Sequence, residues 1–220
     1  MDTLSTEEQQ IAAIKQWWKE NGSSIVTGVV LGLAVLFGGK AWFAYQDRNA
    51  QNASNVYAAM MRALQAGDAL NTGEKAGILL ADYNNTPYAA LGALALARIR
   101  LEEGETEAAR GQLQWVLDNS DSTIFRDIAR LRLARVLLAS GDLDVAGNTI
   151  AGAESAGAFD GLFAEVQGDI ERARGDLAAA STAYQQALAG MPPGSPAREL
   201  LQLKYTDALA ASSSTAETTP

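Results

Sequence analysis

Gly104-Glu105-Thr106-Glu107, Gly141-Asp142-Leu143-Asp144 and Gly175-Asp176-Leu177 give the same signal three times, roughly 35 residues apart, the interval of a repeat made of two short helices. Glycine reaches the backbone conformation that ends one helix, and the acid after it complements the positive end of the next. The register holds on both sides of each glycine. Five residues later stands an alanine, Ala109, Ala146 or Ala180, and nine later a large apolar residue, Leu113, Ile150 or Tyr184. Seven before stands a small residue, Ala97, Ala134 or Gly168, and five before stands Ile99, Val136 or Ile170. Small residues let paired helices approach closely, and large ones fill the space between successive pairs. The pattern predicts an all-α fold, and the dominance of alanine and leucine agrees with it.

These positions resemble the tetratricopeptide repeat, with its small residue in the first helix, its turn glycine and its alanine early in the second. The first two copies lack the closing proline, at Asp121 and Ala158, while Pro192 closes the third; most aromatic consensus positions hold aliphatics. Upstream, Asn49–Gln65 reads as a helix with Val56, Tyr57, Met60, Met61 and Leu64 on one face. Gly67-Asp68 ends it, a second helix runs to about Tyr83, and Pro87 marks the next start. Downstream, Ser195-Pro196 begins a helix to about Ala210 that covers the open end of the stack. The expected layout over residues 46–210 is a tetratricopeptide-like α-solenoid of about three degenerate repeats, with a leading helical pair and a C-terminal capping helix. The Ser/Thr-rich residues 211–220 are expected to be a disordered tail.

The N-terminal part has a different character. No residue from Asn21 to Gly39 is charged, and the apolar stretch extends through Tyr45, past the roughly 20 residues that cross a bilayer. Trp17 and Trp18 precede it, Trp42, Phe43 and Tyr45 close it, and Lys40 can snorkel to the headgroups. A single transmembrane helix is expected over residues 22–45, behind a short tail of residues 1–21. A buried core helix fits the length and flanks less well. A cleaved signal peptide is disfavoured by Asp2, Glu7, Glu8 and Glu20 and by the absence of a small-x-small site. Lys15 and Lys19 balance Lys40 and Arg48, so charge leaves the orientation open. Gly28 and Gly32 form a GxxxG pair and Ala34 and Gly38 repeat the spacing, which suits either a packed helix partner or a lone span.

Composition narrows the function classes. The formal net charge is −9, and only Lys15, Lys19, Lys40 and Arg48 among the bases precede residue 49. No clustered positive face of the kind that neutralises phosphates is present, so no nucleic-acid partner is expected. The chain has no cysteine and no histidine, which removes disulfides, thiol nucleophiles, Ser–His relays and the common zinc sites. Gly38-Gly39-Lys40 lacks the spacing and the hydroxyl of a phosphate loop. Glu102, Glu103, Glu105 and Glu107 straddle a turn and read as solvated surface. No catalytic residue, cofactor or metal is expected; the chain reads as a binding protein rather than an enzyme.

The face expected to bind lies on the first helix of each repeat. Leu91, Leu94, Arg98 and Leu101 recur as Ile128, Leu131, Arg135 and Leu138, and become Leu162, Glu165, Asp169 and Arg172 in the third copy. An apolar floor with spaced arginines suits an extended or helical apolar segment bearing acids. Leucines packed under neighbouring helices, with arginines lying over them, give the same pattern.

Ile14-Lys15-Gln16-Trp17-Trp18-Lys19-Glu20-Asn21-Gly22, leading into a glycine-rich span, resembles the start of the YfgM-like ancillary subunits of the bacterial Sec translocon. Asn85–Arg98, Ile128–Leu138 and Leu201–Leu209 extend the likeness over about residues 5–210, while Pro87 and the polar tail depart from it. The resemblance implies an inner-membrane protein with a cytoplasmic N-terminus and periplasmic repeats. It implies partners in the SecYEG translocon, a PpiD-like periplasmic chaperone and unfolded envelope proteins, and a role in passing newly translocated proteins onward. A membrane-anchored scaffold for another envelope complex, such as an assembly factor or a cell-division coordinator, is the alternative.

Overall fold

Four turns of the same geometry set the layout in the computed structural model, which describes residues 3–153, 157, 159–192 and 194–217. Nine helices are present among them: α1 (Thr3–Gln65), α2 (Ala69–Asp82), α3 (Pro87–Glu102), α4 (Thr106–Asn119), α5 (Thr123–Ala139), α6 (Leu143–Ala151), α7 (Asp160–Arg174), α8 (Leu177–Gly190) and α9 (Ala197–Glu217). They divide into a first unit ending at Asn52 and a second beginning at Ala53.

Within the first unit, α1 is continuous across residues 46–49, where the sequence places the end of the span, because nothing there breaks a helix. The tail from Thr3 onward belongs to the same helix. Val29, Val30, Val35, Leu36, Phe37, Trp42 and Phe43 are all exposed. The stretch within Val26–Gln65 is long and apolar enough to cross a membrane. Asn21 Nδ2 donates to Trp17 O at 3.0 Å and Thr27 Oγ1 to Ser23 O at 2.8 Å, so these polar side chains are satisfied by the helix itself. Gly28, Gly32 and Gly38 have open space where a Cβ would stand, and Ala34 is exposed.

In the second unit the turns stand at Gly67, Gly104, Gly141 and Gly175, with φ of 71°, 80°, 83° and 86°. The residue after each glycine donates its N–H to a carbonyl of the preceding helix: Asp68 to Ala63 at 2.9 Å, Glu105 to Arg100 at 2.7 Å, Asp142 to Leu137 at 2.9 Å, Asp176 to Glu171 at 3.0 Å. This glycine-dependent closure satisfies carbonyls that a helix end would otherwise leave orphaned. Asp68 and Asp176 also cap the helices they start, accepting from Asn71 and Ala179 N–H groups. The leading pair, α1 with α2, therefore closes as the three repeats do.

From α2 onward each helix packs on its neighbours in sequence, and α3, α5 and α7 also touch in turn, which is how a solenoid builds its inner layer. The main core runs from α3 to α7 and includes Leu94, Ala97, Leu113, Leu131, Ala134, Ile150, Val166 and Ile170. A smaller core gathers Tyr184, Leu188, Met191, Leu201 and Ala208 from α8 and α9. Ala53, Met60, Ala76 and Leu79 form the core of the leading pair, beside the Tyr57 and Tyr88 rings 5.4 Å apart.

The third repeat shows why its small position is a glycine. A Cβ on Gly168 would stand 2.4 Å from the ring of the buried Tyr184. The capping helix α9 is fastened by Arg198, which donates to Leu188 O of α8 at 2.9 Å and to Met191 O, just past its end, at 3.0 Å. It continues to Glu217 rather than ending at Ala210, since Ser212 and Ser213 direct their hydroxyls to Leu209 O and leave the helical ladder intact. Residues 211–217 of the expected tail are part of this helix; Thr218–Pro220, like Met1, Asp2 and Ala158, lie outside the described residues.

Gly168→Ala is expected to lower stability by about 2 kcal/mol through overpacking against Tyr184. Gly111→Ala, in α4 with nothing within 4 Å, is expected to raise it by about 0.5–1 kcal/mol. Urea titration of the two variants checks both signs.

Candidate protein-binding cleft

The inner helices place the predicted face in two layers. Leu94 and Leu131 are 6% exposed and belong to the core, and Ile128 and Leu138 pack against it. Leu91 is half-buried, and Leu101 is 40% exposed. The structure thus assigns the buried leucines to packing and leaves Arg98, Leu101 and Arg135 at an open cleft of about 590 Å³.

Ala97, Leu101, Leu113, Val136 and Ala139 give the cleft an apolar floor, and Arg98, Arg132 and Arg135 line it from α3 and α5. Arg98 Nε pairs with Glu102 at 2.8 Å, one helical turn along α3. Arg135 faces Glu165 of α7 at 3.9 Å. Arg132 has no hydrogen bond or ion pair among the described residues. Burial pushes its pKa below the usual arginine value, and the charges of Arg98 and Arg135 push it the same way. It stays protonated, beside two arginines that each face an acid of their own.

The third copy of the face is already occupied. Lys204 of α9 reaches Glu165 and Asp169 of α7, both at 2.8 Å. Asp169 also accepts from the Tyr184 hydroxyl at 2.8 Å. Burial, followed by the hydrogen bond and charge of Asp169, raises the Tyr184 pKa and keeps it a phenol. Burial works against the charged form of Lys204, yet the hydrogen bonds and charges of Asp169 and Glu165 together outweigh it and raise its pKa. The change from leucine and arginine to Glu165 and Asp169 is therefore the docking site of the capping helix. Leu162 packs against the main core and Arg172 is exposed.

Arg132 and Lys204 escaped the sequence reading. Arg132 stands three residues before Arg135 and seven before Ala139, so a stripe one step round α5 contained the signal. Lys204 had no such signal, because its partners lie on another helix. The acidic clusters at the turns behave as surface: Arg100 pairs with Glu103 and Glu105, Arg110 with Asp142, and Arg174 with Asp144. Among the described residues no group of three acids converges as a metal site.

A helical stack with closed glycine turns and an arginine-lined inner cleft, preceded in the chain by an exposed apolar stretch, defines a membrane-anchored tetratricopeptide-like protein. The family model described as a tetratricopeptide repeat-like domain matches residues 15–211. A relative from Haemophilus influenzae described as an ancillary SecYEG translocon subunit is 31% identical, covering 82% of this chain and 88% of the relative. Relatives of the same description from Escherichia coli, covering 84% and 88%, and from Neisseria gonorrhoeae, covering 90% and 95%, are each 30% identical. The chain belongs to the family of ancillary SecYEG translocon subunits. No solved structure matches it.

Two outcomes follow from the charges. Arg132→Gln is expected to leave stability within about 0.5 kcal/mol of the parent or raise it, since only repulsion is removed. Lys204→Met is expected to cost roughly 1–3 kcal/mol, because Glu165 and Asp169 lose a charged donor. The folded-state pKa of Lys204 is raised, so this contribution is present at neutral pH and lost as alkaline pH climbs through the raised value. Denaturation at neutral and strongly alkaline pH should show the two proteins converging.

Proposed function

We propose that the chain is a membrane-anchored adaptor of the SecYEG translocon that binds proteins and catalyses nothing. In this reading α1 holds it in the bacterial inner membrane with its N-terminus cytoplasmic, and the repeats stand in the periplasm. There they receive segments of newly translocated envelope proteins and pass them to a periplasmic chaperone of the PpiD-like kind. The observation that carries the proposal is similarity along nearly the whole chain, anchor and repeats together, to relatives named for the translocon.

The cleft supports the receiving role. Its apolar floor suits side chains that an unfolded segment exposes, and its arginines suit the acids beside them. The open space at Gly28, Gly32 and Gly38 supports close approach by a second membrane helix, with Ala34 in the same small-residue spacing. In this division of labour the span docks and the repeats hold.

Purification of the full chain from mild detergent is expected to recover SecYEG subunits together with it. The double variant Arg98→Glu, Arg135→Glu should still recover them, while crosslinking to proteins in transit falls by about tenfold. Recovery of a division or assembly complex without translocon subunits would refute the proposal.

A further inference from the structure

We propose that the cleft between α3 and α5 takes a protein segment in which a large apolar side chain neighbours a single carboxylate, and that Arg132 reads the carboxylate. This deepens the reading of the repeats as a client-holding surface and rests on it.

Glu102 answers Arg98, while Glu165 stands 3.9 Å from Arg135 and is held more closely, at 2.8 Å, by Lys204. Asp169 is shared between Lys204 and the Tyr184 hydroxyl. Of the three arginines that line the cleft, Arg98 has Glu102 and Arg135 faces Glu165, while Arg132 has no acid partner among the described residues. Arg132 is exposed at the open cleft, and its guanidinium stands near two others of the same sign. An arriving carboxylate relieves that repulsion and can form two parallel hydrogen bonds with the planar fork.

The floor and the overall charge set the rest of the ligand. A cleft of 590 Å³ floored by alanine, leucine and valine rewards burial of a leucine- or phenylalanine-sized side chain. A neutral apolar segment would cover Arg132 and leave its charge unpaired, which disfavours it. A long acidic run is disfavoured in the opposite way, by a chain whose net charge is −9. The chemistry that satisfies both limits is one acid beside one apolar anchor.

Fluorescence anisotropy on the full chain in mild detergent tests this. The probe is a fluorescein-labelled, C-terminally amidated peptide holding phenylalanine next to glutamate, compared with the same peptide holding glutamine. The parent protein is expected to prefer the glutamate peptide by about tenfold, the value of one charge-assisted contact. Arg132→Gln should erase the preference, and the glutamine peptide should bind this variant at least as tightly as it binds the parent, because no unpaired charge is covered. Arg132→Lys should keep a preference of about threefold, since the charge remains without the fork. Equal affinities for the two peptides, no binding of either, or a preference that survives Arg132→Gln in a protein that still melts cooperatively would overturn the assignment. The outcome is separable from the translocon reading: that reading falls if SecYEG does not copurify, whatever the peptides do.

Discussion

The hydrogen bond that returns from each turn to the helix before it is the constraint on which the soluble part of this protein depends. It forms only because a glycine takes a left-handed conformation between the two helices of a pair. Once the turn is fixed, the small residue before the glycine and the larger one after it face each other, and the pair closes. Repetition of that closure stacks the pairs and lays α3, α5 and α7 side by side. The cleft is a consequence, because its arginines and its apolar floor come from helices that only the stack brings together.

The inner face is not uniform along the stack, and the copies differ in how their charges are paired. Across the first two repeats the exposed positions keep arginine over an apolar floor. In the third, Glu165 and Asp169 replace them and are consumed by Lys204 of the capping helix. The α7 end of the face is therefore sealed by charge pairing, while Arg132 on α5, in its middle, has no acid partner among the described residues. Arg198, bonded to carbonyls in and just past the end of α8, seals the α7 end from the backbone side.

The repeats were legible because their spacing is a backbone requirement that any sequence adopting this fold must meet. The leading pair hid its kinship through a change of size. Where the other copies place a small residue before the glycine it has Met60, and where they place a large one it has Ala76. Both are fully buried in one cluster, so the volume is conserved while the pattern is inverted. Thr72 likewise takes the place of a buried alanine, made tolerable by its hydroxyl donating to Asp68 O at 2.7 Å. Periodicity found the face of the cleft but not its depth, since Leu94 and Leu131 share a helical stripe with Arg98 and Arg135 and differ from them only in what packs above. That difference is tertiary, and so is the partnership of Lys204 with α7.

The central claim is that one chain docks through its span and holds clients through the arginine cleft. Photocrosslinking in living cells from Gly28 and from Leu101 addresses both halves at once. The account predicts translocon subunits captured from Gly28 and proteins in transit captured from Leu101. Translocon-free captures from Gly28, or a Leu101 probe that captures no translocating protein while export proceeds, would contradict it.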